Sequence, residues 1–362
     1  MGQEFSSFAR EQLIRLVRAI RPEEWILFGL WALVAALCFQ TGTSIDFQWL
    51  FVRYLRHFGS YALVMIGVSR IVFLYVDAWH PTDESKQRFK RMFFGEPGNP
   101  AKTLRNDLEL MRGLLILFAN LSLYSNIKAR IPFIDPTIGD DIFIQVDAVL
   151  FGADSAEALV NFTKARPEFA EWLGGVYRHD YIWMVVLLWV AYFRRDERAM
   201  RWIFGATALT YIVAILVTVF HPSYGPFFLE PDRFRWANDT PIGSPQRSLK
   251  RFYYANLAKV EAGEEINGRI FMGIAAFPSL HVGHMCIMGV IALRLVPVYA
   301  LWLLGVTLVT WVATVAFGWH YWVDALGGAA IAVVCTEFVW WLIRCGPGSE
   351  REATSTPGDE RE

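Results

Sequence analysis

The chain has 362 residues with 35 acidic and 34 basic side chains, and its formal net charge of −1 argues against a nucleic-acid partner. Hydrophobic residues make up 54% and aromatic residues 15%, while charged residues are only 19%, below the roughly 25% of a soluble domain. Mean hydropathy is +0.31, and the apolar excess comes in blocks approaching the ~20 residues that cross a bilayer, which excludes an ordinary soluble domain.

Residues 1–24 carry Arg10, Arg15, Arg18 and Arg21 among leucines and isoleucines, a pattern that predicts an amphipathic helix on the cytoplasmic membrane surface. No small-residue cleavage site follows a short apolar core, so a signal peptide is not expected. Apolar runs then predict about eight spans, at 25–40, 58–77, 112–127, 181–193, 202–221, 280–296, 298–317 and 321–343. The chain divides accordingly. Residues 25–110 hold two additional N-terminal spans and a cytoplasmic loop, 111–344 form the membrane core, and 345–362 form a charged, disordered tail. With the N-terminus inside, the basic segments Lys86–Arg91 and Arg194–Arg201 are cytoplasmic, as are Arg294 and Arg344 at span ends. The four cysteines, Cys38, Cys286, Cys335 and Cys345, lie in or beside apolar runs, so no disulfide framework is expected.

Two external segments are long. Residues 128–180 include apolar, aromatic stretches that predict short interfacial helices. Residues 222–279 are rich in Pro, Gly, Arg and aromatics, and predict a cap over a site. Each external segment leads towards histidine-bearing sequence. In Phe277-Pro278-Ser279-Leu280-His281, Pro278 suits a helix start, Ser279 can cap orphan N–H groups, and His281 falls in the first turn. In Phe317-Gly318-Trp319-His320-Tyr321-Trp322-Val323-Asp324, His320 and Asp324 are one helical turn apart. A carboxylate there accepts the Nδ1 proton of the imidazole and leaves Nε2 with an outward lone pair. Ionisable residues at the mouth of an apolar helix are costly to place and mark a functional site. The topology puts His281 and His320 on one external face.

Phe-Pro-Ser-Leu-His followed by His-Tyr-x-x-Asp resembles the type 2 phosphatidic acid phosphatase superfamily, and within it the inositol phosphorylceramide synthase-like branch. Leu280 stands where the superfamily has Gly, as that branch allows. Ala313 and Thr314 stand where the third motif has Ser-Arg, so the phosphate-binding Arg is missing, and the first motif (Lys, six residues, Arg-Pro) has no clear counterpart. The segments Asp147–Gly152 and Pro222–Pro226 are similar to segments of synthase-like members. The resemblance covers roughly 110–344 and implies an all-α polytopic membrane protein with a six-helix lipid-phosphatase-like core.

The chemistry follows from residue types. His320 attacks phosphorus, Asp324 orients it, and His281 protonates the leaving alkoxide and later deprotonates an alcohol or water. The helix start at Ser279 offers N–H groups to the phosphoryl oxygens, and Lys250, Arg251 and Arg269 are candidate cations. Tyr224 and His179 are external and can line the site. The plain alternative for His320 with Asp324 is a helix-starting hydrogen bond, and for His284 a packed or hydrogen-bonded residue. A His281–His284 metal pair lacks a third ligand nearby in sequence, so no metal and no cofactor is assigned. Gly327-Gly328 reads as close helix packing.

Three functions compete. One is transfer of a phosphorylated head group from a membrane phospholipid to a lipid alcohol, through a phosphohistidine. Another is hydrolysis of a lipid phosphate monoester, with water as acceptor. The third is non-catalytic lipid transport. A diester is a monoanion and needs fewer cations than a monoester, so the missing Arg favours transfer. The expected setting is a bacterial plasma membrane with the site on its extracytoplasmic face.

Overall fold

The computed structural model describes residues 20–40, 47–94, 100–134, 139–264 and 273–345. Most of the N-terminal amphipathic segment, the tail after Cys345 and Arg269 lie outside the described residues. Among the described residues the chain is helical, with no strand. The helices of ten or more residues are α1 Pro22–Gln40, α2 Phe47–Ala78, α3 Glu84–Phe94, α4 Pro100–Lys128, α5 Asp140–Phe151, α6 Ser155–Lys164, α7 Pro167–Arg178, α8 Ile182–Phe193, α9 Glu197–Phe220, α10 Gly243–Glu261, α11 Leu280–Leu295, α12 Pro297–Ala316 and α13 Trp322–Cys345.

Among the described residues four stretches are long and apolar enough to cross a membrane: Leu104–Phe133, Glu197–Phe220, Pro297–Ala316 and Trp322–Cys345. They coincide with four of the eight expected spans and are compatible with an integral membrane protein. Shorter apolar helices occur at Leu63–Val76, Ile182–Phe193 and Leu280–Leu295. The second of these, α8, has 12 residues, about 18 Å at 1.5 Å per residue, well short of the ~30 Å hydrocarbon layer.

Local sequence explains where the helices begin. Asp196 caps α9 by accepting from the Ala199 N–H at 2.9 Å. Proline occupies the first turn of α7 and α12, where its missing N–H costs nothing. Val296 alone separates α11 from α12, and the two pack as a close pair. Around them, α11 and α13 pack on α9, α9 packs on α4, α2 covers α4, and the short helices α6 and α7 lie on α12. The buried core that joins these helices includes Trp202, Ile203, Met285, Leu303 and Val339. Trp202 satisfies its ring N–H with the Thr336 carbonyl at 2.7 Å.

Ion pairs gather at one end of the bundle. Glu23 pairs with Arg201, Glu24 with Arg112, and Arg21 with Glu109. Arg70 and the Tyr192 hydroxyl share Asp107. These contacts pin α1 and α2 to α4, α8 and α9, at the end where α9 begins. The two histidine motifs lie at the opposite end, where α9 finishes and where α11 and α13 start.

Gly328 sets the spacing of α11 and α13 at that end. A Cβ on it would sit 2.0 Å from the Ser279 carbonyl oxygen, so only glycine allows the two helix starts to touch. Replacing Gly328 with Ala should separate the two motifs and lower turnover about a hundredfold, the scale of a 1 Å misplacement. Gly29→Ala, at a position with nothing within 4 Å, should leave turnover unchanged. Specific activities of the two purified variants check the contrast.

Candidate active site

The loop from Phe317 to Tyr321 turns the chain from α12 into α13. Gly318 makes the turn at φ +69°, and a Cβ there would meet the Phe234 ring. The Thr314 carbonyl accepts from the N–H groups of Trp319 (2.9 Å) and His320 (3.2 Å). His320 is therefore held in this loop ahead of α13 and not on the helix itself, which corrects the sequence-based placement. Asp324 is in the first turn of α13. One of its carboxylate oxygens, Oδ2, accepts from the Tyr321 N–H at 2.9 Å and faces His320 Nδ1 at 3.3 Å. The expected pairing thus forms through a helix-capping carboxylate that serves two donors.

The second histidine has a carboxylate of its own. His281 Nδ1 lies 2.8 Å from Asp180 Oδ2. Asp180 is completely buried in the turn between α7 and α8, and His281 is 25% exposed on its side chain. The Tyr177 ring packs on His281 at 4.2 Å and stacks on Trp319 at 6.3 Å, so one aromatic side chain touches both motif regions. In both Asp–His pairs the carboxylate faces Nδ1, which directs Nε2 away from it.

Main-chain contacts bind the two motifs to each other. The Ser279 N–H donates to the Asp324 carbonyl at 2.9 Å. That use removes one of the N–H groups expected to face phosphate. Ser279 occupies the N-cap position of α11, but its side chain makes no capping bond, and its Oγ is buried without a protein partner. The Phe277–Pro278 peptide is cis.

Helix α5 supports this arrangement from outside. Asp147 accepts from the N–H groups of Trp322 (2.7 Å) and Val323 (2.8 Å), capping α13 from another element. One face further along, Asp140 accepts from the N–H groups of Tyr224 and Gly225 and from the Tyr321 hydroxyl at 2.9 Å. The two carboxylates are seven residues apart, two turns on one helix face.

Burial, followed by the charges of Lys128 and His281, holds His320 well below the ordinary imidazole range, with a hydrogen bond to the Ala276 backbone opposing. The ring is neutral near pH 7, as a nucleophile requires. Lys128, at the end of α4, is the cation whose charge reaches His320. The sequence singled out neither Lys128 nor Asp180. Asp180 adjoins His179, which was singled out, but His179 is exposed and turns its Nδ1 to the Gly175 carbonyl at 2.8 Å.

The other candidates are distributed around the site. Tyr224 turns its ring into an aromatic cluster with Phe228 and Tyr253, and its main-chain N–H meets Asp140. Lys250 lies 5.4 Å from the Phe227 ring, which in turn packs on Trp319 at 4.6 Å. Burial pulls the Lys250 ammonium down, with Asp232 opposing. Arg251 is exposed on α10. Thr314 is fully buried and donates its hydroxyl to the Trp311 carbonyl at 2.6 Å, so an arginine does not fit in its place. Among the described residues no group of three or more His, Cys, Asp or Glu side chains is placed to hold a metal ion.

A family model described as the PAP2 superfamily matches residues 142–337, more than half of the chain and the whole of both His-containing motifs. The chain belongs to the PAP2 superfamily. No curated protein and no solved structure matches it. PAP2 superfamily members are generally phosphatases or phosphotransferases, consistent with an enzyme acting on phosphate. The matched region of this PAP2 chain contains most of α5 with Asp147, together with Asp180, both histidines and Asp324, and it begins just after Asp140 and leaves out Lys128 and the N-terminal helices.

The Asp180 contact makes a specific prediction. Asp180 acts through His281 and is a positioning residue. Asp180→Asn should lower kcat/KM by about a hundredfold, within the range of a general acid. Steady-state kinetics of the variant against wild type check the loss, and Asp180→Glu, which keeps a carboxylate, should recover part of it.

Proposed function

We propose that this enzyme transfers a phosphorylated head group from a membrane phospholipid to a lipid alcohol. His320 Nε2 attacks phosphorus while the bond to the diacylglycerol oxygen breaks, and His281 gives that oxygen its proton. The acceptor hydroxyl then attacks the phosphohistidine. Its proton passes to His281, and the P–N bond to His320 breaks. Asp324 and Asp180 keep the two rings in the tautomers and orientations these steps need. Helices α4, α8, α9, α11, α12 and α13 serve as the six-helix core that carries the site.

The observation that most favours this reading is the scarcity of cations around His320 among the described residues. Lys128 acts on the ring, Thr314 fills the place of the superfamily arginine, and Arg251 is exposed. A phosphodiester brings one negative charge and is matched by one cation, whereas a monoester near neutral pH approaches two. The cover over the loop points the same way. Phe227 and Trp236 pack on Trp319 and Phe317, and Gln246 holds the Phe317 carbonyl at 2.8 Å. A site closed by aromatic rings keeps water from a reactive intermediate.

Radiolabelled phosphatidylinositol, phosphatidylglycerol and phosphatidylethanolamine, each offered with ceramide or with a short-chain diacylglycerol whose product is distinguishable from the donor, test the reading. Wild type should form a new phospholipid faster than it releases water-soluble phosphate, and His320→Ala should form neither product nor labelled protein. Rapid release of inorganic phosphate from lipid monoesters with no transfer product would replace this reading with a lipid phosphate phosphatase.

The same reading places the site on the extracytoplasmic face of a bacterial plasma membrane. In a background without the four native cysteines, Arg251→Cys should react with an impermeant thiol reagent on intact cells and Arg198→Cys should not. The opposite labelling pattern would invert the topology.

A further inference from the structure

One turn below His281 on the same face of α11 lies His284, which the mechanism above does not use. It is 1% exposed, and neither ring nitrogen has a hydrogen-bond partner in the protein. An imidazole has a donor and an acceptor, and leaving both unmatched in a buried place costs on the order of 1–3 kcal/mol for each group. Structures retain such a group where a ligand or water completes it.

The surroundings indicate what completes it. Tyr181 packs against His284 at 4.9 Å and against His281 at 5.5 Å, and its hydroxyl reaches the Tyr211 hydroxyl at 3.2 Å. Tyr181 itself is 39% exposed at the start of α8. The surface that continues from it is apolar, formed by Ile182, Val185 and Val186 on the outer face of that helix. The buried imidazole is therefore one aromatic side chain away from a surface suited to acyl chains. The unpartnered Oδ1 of Asp180 and Oγ of Ser279 flank His281 and add acceptors at the inner end. An amphiphile whose chains lie along α8 and whose polar end points inward would pass Tyr181, meet His284, and present its hydroxyl at His281.

We propose that His284 and Tyr181 form the binding site for the hydroxyl end of the lipid alcohol acceptor, entering from the membrane side along α8. His284 exchanges hydrogen bonds with the acceptor's polar groups and holds the attacking oxygen where His281 removes its proton. The donor phospholipid occupies the other side of the site, towards Lys128. This assignment rests on the transferase reading and adds the direction from which the acceptor comes.

Two measurements test it. With a short-chain diacylglycerol or ceramide as acceptor, His284→Phe should raise the acceptor KM about tenfold, the loss of one hydrogen bond, and leave the donor KM within about twofold. His284→Asn keeps a donor and an acceptor and should recover most of the acceptor affinity. Equal changes in the two KM values, or an Asn variant no better than Phe, would overturn the assignment. The second measurement needs no turnover. A diacylglycerol carrying a diazirine near its hydroxyl should crosslink to wild type at Tyr181 or on the first two turns of α11, and several-fold less to His284→Phe. Crosslinks elsewhere, or equal labelling of both proteins, would mean that His284 holds only water. Absence of transfer product with crosslinking intact would instead reject the transferase reading and keep the lipid site.

Discussion

The first N–H groups of α13 have no carbonyl partner within their own helix, and this helix starts inside the protein beside a buried imidazole. Asp147 takes the N–H groups of Trp322 and Val323 together, while Asp324 takes that of Tyr321 and turns the same oxygen towards His320. A helix start with unmet donors would be costly at this depth. The position of His320 therefore depends on a carboxylate brought from α5, far away in sequence. Asp140, two turns earlier on α5, ties the Tyr224–Gly225 turn and the Tyr321 hydroxyl to the same support. One short helix thus anchors both the loop of His320 and the beginning of the segment that covers it.

Charge is separated along the bundle. The arginine–glutamate pairs of α1, α4 and α9 fill one end, each ion matched by an opposite one, which is the condition under which buried charge is tolerated. The opposite end holds two neutralisable histidines, their carboxylates and Lys128. There Asp324 Oδ1, Asp180 Oδ1 and both nitrogens of His284 are buried without a protein partner. The arginine–glutamate pairs and the histidine–carboxylate pairs thus occupy opposite ends of the bundle.

Much of this was legible in the sequence where the signal is local. Four full-length apolar helices fall on four expected spans, His281 lies in the first turn of α11, Asp324 accompanies His320, and Gly328 marks close packing. The errors arose where local pattern and long-range contact compete. Four-residue spacing suggested that His320 is helical, but Gly318 and the Thr314 carbonyl hold it in a turn. Ser279 has the side chain of a cap, yet the Gly328 contact brings α13 against its backbone and the Asp324 carbonyl takes its N–H. Asp180 and Lys128 carry no motif. Each is 101 or more residues from the histidine it serves, a relation that only packing of α4, α8 and α11 creates. A run such as α8 is apolar enough to count as a span and too short to be one of full length.

The bare backbone of Gly328 against Ser279 makes the two helix starts a single solid piece. The acid–base histidine and the nucleophile cannot slide past one another to suit a larger or smaller head group. Adaptation to a new substrate must then occur in the aromatic cover formed by residues 222–264, which hydrogen bonds and ring contacts attach to the loop of His320. Descendants of this chain that accept different head groups should differ in that cover while keeping the glycine contact, much as a lock is rekeyed by changing its pins and leaving its cylinder alone.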